Sequence, residues 1–61
     1  MVKVGDTIRI QNMHGEPHYT GRTGTVKFID DAGQIHGTWG GLALIPGDEF
    51  LVVSKNENLQ K

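Results

Sequence analysis

Residues 36–47 read HGTWGGLALIPG. Trp39 is the only tryptophan of the chain, and the glycine pair Gly40–Gly41 follows it. Such a stretch is either a loop that offers an aromatic ring to a ligand or a tight hairpin that turns the ring into a core. Gly-Gly suits a two-residue type I′ turn, because both central residues need positive φ. In that hairpin Trp39 faces Leu42, Thr38 faces Ala43, Gly37 faces Leu44 and His36 faces Ile45. One face then carries Ile35, Trp39, Leu42 and Leu44, and the other carries Gln34, His36, Thr38 and Ala43. This segregation favours the hairpin, since a slip of one residue would exchange the faces. Trp39 is therefore expected in the core. Gly37, opposite Leu44, leaves a gap that packing, a strand bend or another chain must account for.

Working outward, no segment carries an apolar i, i+3, i+4 pattern over several turns, and short alternations between nine glycines argue for an all-β domain. DTIRIQNM (residues 6–13) reads as the first strand, with Ile8 and Ile10 on one face. Val4 is expected to tuck beneath the sheet. HGEPHYTGRTG (14–24) is a long loop, and long loops in compact domains are often functional or mobile. TVKFID (25–30) reads as the second strand. Its turn, closed by Gly33 in the left-handed region, sets Asp30 against Gln34 and Ile29 against Ile35. Val26 and Ile29 are three apart, so strict alternation cannot bury both, and a bulge or sharp bend is expected between them; otherwise Phe28 lies outside beside His36. QIHGTW and LALIP supply the third and fourth strands. A short 3₁₀ turn over PGDEF and a fifth strand, FLVV (50–53), complete the domain. Residues 1–53 thus form one domain, and 54–61 read as a polar tail.

Composition narrows the function. A chain of 61 residues has a small core and little net stability. It has no cysteine, so disulfides and cysteine zinc sites are excluded. Six Lys+Arg against seven Asp+Glu lack the basic excess of a dedicated nucleic-acid binder. Neither a signal peptide nor a membrane span is read, so a cytoplasmic protein is expected.

The order of short strands, with a long first loop and a short turn before the last strand, looks like an SH3-like small barrel of five strands. The half VGDTIRI…GRTGTVKFID…GQIHGTW is similar to the KOW-type pattern. DDAGQIHGTWGGLALIPGDEF (30–50) more specifically resembles a family of small bacterial and phage domains catalogued as a domain of unknown function. The resemblance spans about residues 4–53. It implies the barrel and carries no activity with it.

Candidate chemistry is sparse. HGEPH offers His14, Glu16 and His18, which could ligate zinc or nickel, with His36 as a further ligand if the loop folds over the third strand. Gly15 and Pro17 oppose the helix that would align the two histidines, so they read as loop histidines, and no metal or cofactor is assigned. Ser54 is the only serine, and Asp30 and Asp31 suit turn hydrogen bonds better than acid–base work. The chain is read as a non-enzyme. The candidate binding residues are His14, His18, Tyr19, Arg22, Lys27 and Arg9: a stacking ring and cations around the first loop. The first functional reading is an interaction module with a protein partner, in a phage or mobile element a host protein. The second is a KOW-like nucleic-acid-binding module. The third is capture of an anionic nucleotide-type ligand between subunits of a homo-oligomer.

Overall fold

The computed structural model describes residues 1–56. Four strands form one antiparallel sheet: β1 (Thr7–Asn12), β2 (Thr23–Ile29), β3 (Ile35–Gly37) and β4 (Glu49–Ser54). Their order is β3-β2-β1-β4, an open arrangement in which the last strand returns beside the first. The described residues are all-β apart from one 3₁₀ turn, and none of their helices is long and apolar enough to cross a membrane.

Alternation along β1 sets the sheet. Ile8 and Ile10 are fully buried while Arg9 and Gln11 face solvent. They anchor a core of Met13, Tyr19, Val26, Ile35, Trp39 and Leu44, with Val2, Ile29, Phe50 and Val52 packed against it. The ladder between β2 and β3 shifts register between Val26 and Phe28. That irregularity lets Val26 and Ile29 both face inward and turns Phe28 outward, opposite His36. The turn between these strands has the expected pairing. Ile29 faces Ile35, the Asp30 N–H donates to the Gln34 carbonyl at 3.0 Å, and Gly33 sits at φ 82°.

Several expectations are corrected. The segment expected as a fourth strand is a single bridge, Ile35 to Leu44, leaving four strands where five were expected. Its register differs by two residues from the hairpin that sets Gly37 against Leu44. Because side chains alternate with a period of two, Ile35 and Leu44 still point inward. Gly40 has positive φ but Gly41 does not, so the connection is no type I′ turn. Leu42 swings out to 43% exposure, and its carbonyl accepts the Trp39 indole N–H at 2.9 Å. That bond holds the ring inward without a Trp39–Leu42 strand pair. The gap expected beside Gly37 is filled by Trp39 itself: a Cβ on Gly37 would strike the indole ring and the Thr25 carbonyl oxygen.

The 3₁₀ turn lies in the first loop, over Pro17–Tyr19, rather than before the last strand. Before β4 the chain makes a β-turn instead, with the Asp48 N–H donating to the Ile45 carbonyl. Val4 is exposed, and Val2 takes the place expected of it against the core. Asp6, fully buried, gathers the two ends of the domain. Its carboxylate accepts the backbone N–H groups of Lys3 (3.0 Å) and Asn56 (2.7 Å) and pairs with the Lys3 ammonium at 3.2 Å. β4 runs to Ser54, and residues 57–61 of the stretch read as a tail lie outside the described residues.

Candidate functional site

The β2–β3 hairpin builds the most organised surface. Asp30 opens its turn, and one carboxylate oxygen, Oδ1, accepts the N–H groups of Ala32 (3.0 Å) and Gln34 (2.8 Å). A short side chain bonding backbone two residues on is the usual device by which aspartate fixes a turn. The other oxygen, Oδ2, lies 3.0 Å from His36 Nε2 on the opposing strand. His36 is thus oriented from below and presents its ring to Phe28, with centroids 5.5 Å apart and planes inclined at 43°. The bond to His36, then the backbone donors, hold the Asp30 carboxyl below its ordinary range against partial burial. Phe28 is 57% exposed, and Ile45 and Leu42 on the neighbouring segment are exposed apolar residues as well. The hairpin therefore offers solvent an aromatic ring supported by a chain of fixed contacts.

Of the first-loop candidates only Tyr19 turns inward, while His14, His18 and Arg22 are exposed. Tyr19 is buried, and the Arg22 guanidinium lies 4.0 Å from its ring centroid. Arg22 Nη1 donates to the Trp39 carbonyl at 2.9 Å, so this cation ties the loop to the segment beyond β3. His18 meets the Tyr19 ring edge-on at 5.0 Å and lies 3.6 Å from Glu16. The His14 N–H donates to Asp48 Oδ1 at 2.9 Å, and Asp48 Oδ2 accepts the Ile45 N–H, so one carboxylate staples the loop to the last turn. Among the described residues no group of three or more His, Cys, Asp or Glu is placed to hold a metal.

Arg9 and Lys27 are exposed. Arg9 stands opposite Thr23 in the β1–β2 ladder, and Lys27 is four residues further along β2. The six candidate residues thus fall into separate places: Tyr19, Arg22 and His18 around one ring, His14 at the Asp48 staple, and Arg9 and Lys27 apart on the sheet. Phe28 is not among them, although its position outside beside His36 was one of two readings of β2. The signal for it was the Val26–Ile29 spacing.

A family model described as Domain of unknown function (DUF4314) matches residues 2–53. The chain belongs to that family. The match covers all four strands except the last residue of β4, and it takes in the whole Phe28–Asp30–His36 hairpin. No curated protein and no solved structure matches the DUF4314 chain.

Proposed function

We propose that this DUF4314 protein is a non-enzymatic interaction module that binds another protein through the outer face of its β2–β3 hairpin. Phe28 is the anchor, beside His36, and Ile45 and Leu42 are further exposed apolar side chains on the segment bridged to β3. The observation that carries the reading is the exposed Phe28 ring resting on His36, which Asp30 holds in place. Aromatic anchors fixed before binding lose little entropy on association and recur as hot spots. The fold that accompanies this reading is a small SH3-like barrel. It is supported by the return of β4 to β1 and by the Ile35–Leu44 bridge standing where a fifth strand would run. A cytoplasmic setting and a phage or mobile-element origin with a host partner extend the reading. The cysteine-free composition is compatible with the former.

Capture of proteins from bacterial lysate by the immobilised chain and by Phe28→Ala tests it. The expected result is a protein retained by the parent and lost from the variant, whose stability changes by no more than about 0.5 kcal/mol. Equal retention by both chains overturns the Phe28 site. Retention of nucleic acid alone, in a salt-dependent manner, favours the module with phosphate contacts from Arg9 and Lys27 instead.

A further inference from the structure

The edge of β4 carries a self-complementary register. Along β1 the Asp6 carbonyl and both backbone groups of Ile10 bond toward the β2 side. Backbone groups of an antiparallel strand alternate in direction, so those of Thr7, Arg9 and Gln11 turn toward β4. Arg9 faces Leu51, which therefore bonds to β1, and the N–H and C=O groups of Phe50 and Val52 point away from the sheet. Among the described residues β4 pairs only with β1.

Natural edge strands are blunted by lysine, proline, inward charges or bulges; this one reads EFLVVS, with one charge at its start and its one bulge at Val53, towards its far end. Its ladder with β1 has two register shifts: one leaves Val53 without a partner between Val52 and Ser54, and the other leaves Gln11 of β1 without one, so Phe50–Val52 pair in regular register. On the outer face Leu51 and Val53 are 48% and 44% exposed, and on the inner face Phe50 and Val52 pack against the core but are not fully buried.

We propose that β4 pairs with β4 of a second copy of this chain, antiparallel about a two-fold axis through Leu51. In this register Phe50 faces Val52 of the second copy, and the outward N–H and C=O groups of both supply four hydrogen bonds. Leu51 meets Leu51 at the non-hydrogen-bonded position, where side chains approach most closely. Glu49 faces Val53, which keeps the two Glu49 carboxylates apart and sets Lys55 of the second copy diagonal to each. Diagonal neighbours lie within reach of long side chains. The result is an eight-stranded sheet that completes the cover of Phe50 and Val52 and leaves the Phe28 hairpin at each far edge.

Sedimentation equilibrium of the full chain, with amide hydrogen exchange, tests the pairing. The parent is expected at twice the chain mass, with Phe50 and Val52 amides protected more strongly as concentration rises. Leu51→Lys puts two cations face to face and is expected to return the mass to one chain, with Trp39 fluorescence unchanged. Val53→Lys sets a cation opposite each Glu49 and is expected to tighten the dimer by about two- to tenfold at low salt. A parent that stays at one chain mass at millimolar concentration overturns the proposal. So does a dimer that L51K leaves intact, or Phe50 and Val52 amides whose exchange ignores concentration.

Discussion

A methyl group on Gly37 would fall inside the Trp39 ring and against the Thr25 carbonyl oxygen. Gly37→Ala must displace the largest side chain of the core, and overpacking of this kind costs about 1–3 kcal/mol. We expect a lower urea midpoint with unchanged slope and a red-shifted Trp39 emission. A variant as stable as the parent would show that the ring does not rest on residue 37. The inward direction of Trp39 was legible in the sequence because the apolar residues around it segregate to one face. What fills the space at Gly37 was not. An indole folding back over a residue two places earlier depends on its side-chain torsions, which leave no mark in the pattern. Tyr19 misled for a related reason. A lone aromatic among glycines and a proline has no periodicity to say which way it faces, and here it belongs to the core with Arg22 over its ring.

The β2–β3 hairpin depends on one carboxylate that serves both its turn and its opposing strand. The Asp30 pKa is lowered in the folded chain, and so is that of Asp6. Each therefore contributes stability that is fully present above the unfolded carboxyl value of about 4, and that is lost as pH falls through the lower folded value. Acid titration of the parent, followed by Trp39 fluorescence, should show unfolding below about pH 4. Asp30→Asn should be less stable at neutral pH, with an acid limb shallower by about one proton. An acid limb identical to the parent's would remove Asp30 from the linkage. The DDAG turn and its pairing were legible because aspartate and glycine are the residues such a turn requires. The next connection was not, because the glycine pair permits a type I′ turn without compelling it. The Trp39 indole bond to the Leu42 carbonyl and the Arg22 bond to the Trp39 carbonyl hold a different path. Both are contacts of side chains with backbone, which strand alternation does not register.

Across the whole molecule, the strand that closes the domain lies beside the one that opens it, and Asp6 binds backbone on both sides of that seam. The strand pairing could be anticipated only in outline, from the order of short strands. The seam could not, since a single aspartate near the start of a chain gives no sign that residue 56 will reach it. Its consequence is that the stretch from Lys3 to Asn56 is close to a ring. Joining Asn56 to the N-terminal residues by a short flexible linker and reopening the chain between Gly15 and Glu16 would preserve every strand pair. Nearby ends are what makes such rearranged chains fold. The circularly permuted protein is expected to keep the parent's amide exchange pattern in β1 and β2, and a loss of that pattern would mean that the order of synthesis matters to this sheet. The same closeness suits the domain to a life as an insert. A larger protein could carry it in a surface loop while its own two flanking segments stayed side by side.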